Sequence, residues 1–444
     1  MRLKIENFGP IRRANLLIKP FTILVGPSSS GKSYLAYLIH ALYITEPNWS
    51  MLHQYLTKYL EDKLSDVKEL RGAIIQLLKT FFENFSQFFK ENLKATLLQT
   101  FNINNLSELT HHESRETLIA ISSDDEKNNI TIKLSGNDLD ISIHGEMLNI
   151  DGLVSLELSK LNDEVLMRIY LKDKLILDEK LPLDLHTLRQ FIGSVIPIII
   201  LNLLNGYTPL LPIHIIPDTR IGLCKLHEVL SYIIFTSREL SITLPIANVD
   251  SKFVIEFEGM SEKSLSEKAL ELVKLFEKKF NIEFIINKSL PEKFIIKCQG
   301  KDIPLSRASL SLRELASIIY LLKYRLLDGS ILIIEEPGMY LNANMQSLIT
   351  RLLAGLVSRE IVRNLIITTR SLDLLREVNN LIKINRLKGH AKLSREYYDW
   401  EGLDYSKVAI YLFRREGIVE EVKVGSEGIT NEHLHFINEI IQQS

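Results

Sequence analysis

Apolar and polar residues alternate from the first position. Met1, Leu3 and Ile5 alternate with Arg2, Lys4 and Glu6, which predicts a strand with one buried face. Gly9 and Pro10 mark a turn, and a second short strand follows within the first 25 residues. Phe21, Thr22, Ile23, Leu24 and Val25 then form an unbroken, largely apolar run, the pattern of a strand. A glycine- and serine-rich loop over 26–31 feeds a helix through about Tyr43. Over 46–118 the spacing is helical: Leu52, Tyr55, Leu56, Tyr59 and Leu60 recur, and so do Leu77, Leu78, Phe81, Phe82, Phe85, Phe88 and Phe89. That phenylalanine-rich stripe reads as packing, with a partner-docking face as the alternative. No heptad runs far enough for an extended coiled coil.

From about 117 to 181 the period drops to two, with apolar positions at Ile130, Ile132 and Leu134, at Leu139, Ile141 and Ile143, and again over 165–171 and 175–177. Turns such as Ser135, Gly136, Asn137 and Asp138 separate these runs, which predicts an antiparallel sheet. A helix is expected near 183–204. A strand at 213–216, a helix near 223–240, further strands and a charged helix near 261–280 follow. No repeat or low-complexity linker interrupts the chain. The organisation expected is one split domain, 1–44 and 205–444. It carries an insertion at 45–204 that is helical over 46–118, β-rich over 119–181 and helical over 183–204, and the β part is a candidate to join the N-terminal lobe.

The bulk numbers exclude several classes. A chain of 444 residues with 46% hydrophobic residues has material for large cores. Lys and Arg number 53 against 55 Asp and Glu, so no global basic footprint points to nucleic acid. Cys224 and Cys298 are the only cysteines, which leaves no disulfide framework and no thiolate zinc site. The opening residues lack the apolar core of a signal peptide. The longest apolar stretch, 195–204, is half of what a bilayer needs and contains Pro197. A soluble, cytoplasmic protein is expected, with no membrane partner.

The chemistry lies at the ends of apolar strands. Gly26, Pro27, Ser28, Ser29, Ser30, Gly31, Lys32 and Ser33 form a complete Walker A phosphate loop directly after the 21–25 run. Such a strand–loop–helix aims backbone N–H groups and the positive end of a helix dipole at one spot, which polyphosphate fits. Lys32 would reach the β- and γ-phosphates, and the Ser33 hydroxyl would ligate Mg²⁺. Far downstream, Ser330, Ile331, Leu332, Ile333 and Ile334 run into Glu335 and Glu336, the pattern of a Walker B strand. Glu335 would hold Mg²⁺, and Glu336 would polarise the attacking water as general base. One helix earlier, Ser311 and Glu314 have the spacing of a capping box, which places a second helix N-terminus there. His111 and His112 lack partners at ligand spacing and read as a solvated loop. Arg386, Lys388, His390, Lys392 and Arg395 read as a charged surface loop, with contact to phosphate backbones as the alternative.

The order of phosphate loop, long insertion, serine-rich helix start, strand-Glu-Glu-Pro and strand-Thr-Thr resembles the ABC-type ATPases of the structural-maintenance-of-chromosomes, RecF and OLD group. More narrowly it is similar to the prokaryotic and archaeal predicted-ATPase branch of that group. Residues 5–11, 216–223, 308–316 and 402–413 carry the likeness, which covers the first ~45 residues and most of 210–430. It implies an α/β, ABC-type P-loop ATPase fold with an antiparallel β subregion and an inserted, mainly helical segment. It also implies two ATP molecules sandwiched in an ATP-dependent homodimer. In that sandwich Ser309, Ser311 and Arg313 of one subunit cap the γ-phosphate held by the other.

Three departures qualify the likeness. Ser311 stands where the signature has glycine. Arg370, after the strand ending in Thr368 and Thr369, stands where the switch residue is histidine; arginine still contacts a γ-phosphate but exchanges no proton at neutral pH. No glutamine marks the Q-loop, and Asp218 or Arg220 stands near its place. Slow or partner-stimulated hydrolysis is therefore expected, with Glu336 and Arg370 as catalytic residues. The implied role is a switch in DNA maintenance or in defence against viruses and plasmids, with DNA or a separate effector chain as partner. The stretch after Arg370 is too short for an appended nuclease and lacks an Asp-x-Asp pair, so any nuclease is expected on another chain. The alternatives are the nucleotide-binding subunit of a transporter and an ATP-locked scaffold.

Overall fold

The computed structural model describes the chain apart from residues 53, 56–57, 59–69, 123–127, 146–153, 162–163, 172–173, 183–211, 240–247, 288–291, 388–401 and 443–444. Two compact units emerge. One comprises Met1–Phe8, Ala41–Leu98 and Asn105–Leu210, the other Gly9–His40, Gln99–Asn104 and Leu211–Ser444.

In chain order, β1 (Arg2–Phe8), β2 (Ile11–Leu17) and β3 (Phe21–Val25) precede α1 (Lys32–Ile44), α2 (Leu70–Glu83) and α3 (Phe85–Phe101). Six strands follow: β4 (Glu116–Ser122), β5 (Asn128–Ser135), β6 (Asp138–Gly145), β7 (Val154–Leu161), β8 (Glu164–Leu171) and β9 (Lys174–Pro182). After β10 (Ile213–Ile216) come α4 (Arg220–Lys225), α5 (His227–Glu239), α6 (Asn248–Glu258) and α7 (Glu267–Phe280). A meander of β11 (Ile282–Ile286), β12 (Phe294–Cys298) and β13 (Lys301–Pro304) leads to α8 (Leu310–Tyr324). The chain closes with β14 (Ser330–Glu335), α9 (Ala343–Ser358), β15 (Val362–Thr369), α10 (Leu372–Leu387), β16 (Val408–Phe413), β17 (Val419–Val422) and α11 (Asn431–Gln442).

The expected α/β class, with antiparallel β regions and an inserted helical stretch, is what these elements form. In the second unit the sheet runs β10-β14-β15-β3-β16-β17, parallel except for the β17 edge. Every residue of β3, β14 and β16 is buried. That is why these strands read as unbroken apolar runs: helices cover both faces of a parallel sheet. α8 and α9 contribute Leu315, Ile318, Ile319, Leu322, Leu352 and Leu356 to the core over it. The β11–β13 meander packs on α8, where the Tyr320 ring meets Phe284 and Phe294 and its hydroxyl donates to the Ile295 carbonyl at 2.7 Å.

In the first unit β1 pairs antiparallel with β4, Leu3 opposite Ile121, and the ladder continues through β5 and β6. β7, β8 and β9 make a separate antiparallel meander. The phenylalanine stripe of α2 and α3 is packing, as expected. Phe81, Phe82, Phe85, Phe88 and Phe89 are all buried, and Phe85 stacks on Phe89 with ring centroids 4.2 Å apart.

Three expectations change. Helix does not persist to 118: α3 stops at Phe101, Asn102 adopts a left-handed backbone, and β4 already begins at Glu116. His111 is no solvated loop residue. It is buried, its N–H donates to the Asn7 carbonyl at 2.9 Å, and its Nδ1 accepts from the Glu113 N–H. The capping box at Ser311 and Glu314 does not form. Ser309 is the N-cap of α8, its hydroxyl accepting from the Leu312 N–H at 3.3 Å, because a buried arginine claims Glu314. The helix expected near 183–204 lies outside the described residues.

Candidate nucleotide site

Strand order brings the motifs together. β15 lies between β14 and β3, so three C-terminal ends open side by side: Glu335 and Glu336 after β14, Thr369 and Arg370 after β15, and the glycine-rich loop after β3. Ligands bind beyond the carboxyl ends of parallel strands in open α/β sheets.

The loop is held by backbone that tolerates no side chain. A Cβ on Gly26 would stand 2.5 Å from the Phe413 carbonyl oxygen, and one on Gly31 would stand 2.8 Å from Ile11 Cγ1. Both glycines also have positive φ, as does Ser29 at 61°. Lys32 is buried and bends back over the loop, its Nζ donating to the carbonyls of Gly26 at 2.9 Å and Pro27 at 2.6 Å. Burial lowers the Lys32 pKa, Arg370 pushes the same way, and Glu336 and Glu335 oppose them. The Ser30 hydroxyl donates to the Pro27 carbonyl at 2.9 Å and closes the loop.

The two acids differ. Glu335 is fully buried, and burial raises its pKa to about 7, with the charge of Asp218 adding to the shift and the hydroxyls of Ser33 and Tyr37 pulling it back. Its Oε2 accepts from Tyr37 Oη at 2.7 Å, while its Oε1 completes no hydrogen bond among the described residues. A buried carboxylate oxygen without a partner, next to a serine hydroxyl and a second acid, is a hard-oxygen donor set of the kind Mg²⁺ takes. Ser33 and Glu335 therefore fit the ion.

Glu336 is half-buried and turns out of the strand at φ 43°, its N–H donating to the Thr368 carbonyl at 2.9 Å. Its Oε2 accepts from the Arg370 N–H at 3.1 Å. Burial raises the Glu336 pKa, and Lys32 opposes the shift most strongly. A raised pKa suits a general base. Arg370 is exposed, and its Nη1 donates to Ser28 Oγ at 3.1 Å. It thus touches the phosphate loop and the Walker B acid at once.

Asp218 and Arg220 part company. Asp218 is exposed and close enough for its charge to act on Glu335. Arg220 is wholly buried, which removes it from the Q-loop position. Its guanidinium donates to the carbonyls of Pro217 (2.8 Å), Glu335 (2.6 Å) and Glu336 (2.7 Å) and pairs with Glu314. Glu314 also accepts from the Gly338 N–H at 2.8 Å, so this ion pair fixes the backbone of both acids.

Ser309, Ser311 and Arg313 cluster at the start of α8. Ser309 and Ser311 are exposed, Ser311 Oγ donates to the Tyr340 carbonyl at 3.0 Å, and Arg313 Nε donates to the Ala308 carbonyl at 3.0 Å. They make no hydrogen bond to the phosphate loop among the described residues. Within the basic cluster, only Arg386 is described, paired with Glu427. Sequence reasoning missed Tyr37. The signal was present, because Tyr37 lies four residues after Ser33 and hence on the same helix face.

No family model and no curated protein matches the chain. Solved structures do. One is an SMC head bound to the C-winged helix domain of ScpA, with a TM-score of 0.38, 11% identity and 98% of each chain covered. Another is the recombination mediator RecF of the RecFOR pathway in a nucleotide complex, at 0.36 and 11%, covering 95% of this chain and 97% of that one. A third is the SMC head domain from Thermotoga maritima, at 0.35 and 12%, covering 96% and 98%. Likeness this slight transfers no residue role, and the strand order alone carries the fold. Among the described residues, no helix is long and apolar enough to cross a membrane.

Proposed function

We propose that the chain is an ATPase of the ABC type, allied to the SMC, RecF and OLD group, that binds Mg²⁺-ATP and hydrolyses it slowly. The observation that supports this most is Arg370, which joins Ser28 of the phosphate loop to Glu336 of the paired acids. Three separate sequence motifs meet there in one constellation. Lys32 and the N–H groups of the loop bind the phosphates. Ser33 and Glu335 would hold Mg²⁺, which would supply positive charge against that of the phosphates. Glu336 accepts the proton of the attacking water. Arg370 supplies fixed positive charge towards the γ-phosphate but passes no proton, which fits slow turnover.

On this reading the exposed start of α8 acts on a second copy. A helix N-terminus touching only the γ-phosphate distinguishes ATP from ADP, so dimerisation follows the nucleotide state. The role inherited from the resemblance is a switch in DNA maintenance or in defence against viruses and plasmids, acting on DNA or a separate effector. An ATP-locked scaffold is the second reading, favoured by the contact between Arg370 and Ser28. Phosphate release by wild type and by Glu336→Gln, with and without DNA, separates the two. Hydrolysis predicts measurable wild-type turnover that falls about 10²- to 10⁴-fold in the variant. Equal background rates in both would leave only the scaffold.

A further inference from the structure

Resting on that reading, we infer that Tyr37, braced by Phe101, is a positioning residue that holds Glu335 ready for Mg²⁺. The Tyr37 hydroxyl donates to Glu335 Oε2 at 2.7 Å, and Oε1 has no partner among the described residues. Arg220 fixes the carbonyl of the same residue at 2.6 Å. With its backbone carbonyl and one carboxylate oxygen both tied, Glu335 is restrained, and its Oε1 is left for an ion. A ligating carboxylate that is itself hydrogen-bonded keeps its geometry without spending ligand-binding energy on ordering.

Tyr37 is held in turn. Its ring lies 6.2 Å from that of Phe101, and Tyr34, one turn earlier on α1, lies 5.3 Å from Phe101 on its other contact. Tilted aromatic contacts at these separations are favourable. Phe101 is the last residue of α3. The end of the inserted helical stretch therefore braces the hydroxyl that orients the metal acid, a connection no phosphate-loop motif contains.

The test uses the full chain with Mn²⁺ as a paramagnetic substitute for Mg²⁺. Free Mn²⁺ is followed by electron paramagnetic resonance in the presence of ATP, and metal-free ATP binding is measured separately in EDTA. Tyr37→Phe removes one oxygen and retains the ring. It is expected to weaken Mn²⁺ about 10-fold or more while metal-free ATP affinity stays within twofold. Phe101→Leu keeps the hydroxyl but loses the brace, and is expected to fall between the two. A Tyr37→Phe protein that binds Mn²⁺ as wild type does would overturn the assignment, as would equal losses of Mn²⁺ and metal-free ATP. A wild-type protein that binds no ATP at all would instead overturn the nucleotide reading on which it rests.

Discussion

Two helix starts among the described residues carry the candidate chemistry, and they are built differently. α1 begins inside its own chain: Lys32 is buried, the glycine-rich loop wraps its first turn, and Glu335, Glu336 and Arg370 stand around it. α8 begins in the open. Ser309 caps it, Ser311 is exposed, and Leu310 is 49% exposed, next to a turn that exposes Met339 and Tyr340 and accepts a hydrogen bond from Ser311. An anion at the first start would be enclosed by groups of one chain. An anion at the second would stand open to solvent, and that asymmetry is what the proposed composite site between two copies would use.

The largest effect should come from breaking the enclosed start. Lys32→Ala removes a buried ammonium aimed at phosphate and should weaken ATP binding about 100-fold, read by calorimetry. A change of less than threefold would mean that the α1 start binds no polyphosphate. A smaller effect tests how deeply α1 is embedded. His40, two turns further along, is 1% exposed, and burial lowers its pKa to about 3, with Lys252 and His214 adding to the shift. Its folded pKa lies below the unfolded one, so the neutral ring's stability is complete above pH 6.5 and is lost as pH falls towards 3. Between pH 7 and pH 5 His40 alone should cost about 2 kcal/mol, seen in urea unfolding. His40→Leu should flatten that part of the profile. An unchanged slope would mean the ring is not buried as described. The smallest effect belongs to the open start: Ser309→Ala should cost about 1 kcal/mol of stability through the lost cap. Thermal melts would show it, and a loss several times larger would mean that the α8 start carries more of the fold than a cap.

The same contrast separates what was legible in the sequence from what was not. β3, β14 and the 365–367 stretch of β15 could be read because the buried part of a parallel strand is apolar, and the phosphate loop could be read because its backbone needs glycine at 26 and 31. Local rules failed where a distant partner intervened. Ser311 and Glu314 have capping-box spacing, but Arg220, nearly a hundred residues upstream, takes the carboxylate to fix the acidic turn. Arg220 itself reads equally well as a Q-loop residue or as a structural salt-bridge residue until its burial is known. The pairing of β1 with β4 joins Leu3 to Ile121, and nothing local encodes such a register. His111 looked solvated because its partner, the Asn7 carbonyl, lies on that same distant strand.

The central claim is that ATP, held at the enclosed start, recruits the open start of a second copy. Light scattering of Glu336→Gln with Mg²⁺-ATP and with Mg²⁺-ADP tests it most directly. The account predicts a rise from 51.0 kDa to twice that mass with ATP alone. A mass that stays at the monomer value with saturating ATP would contradict it.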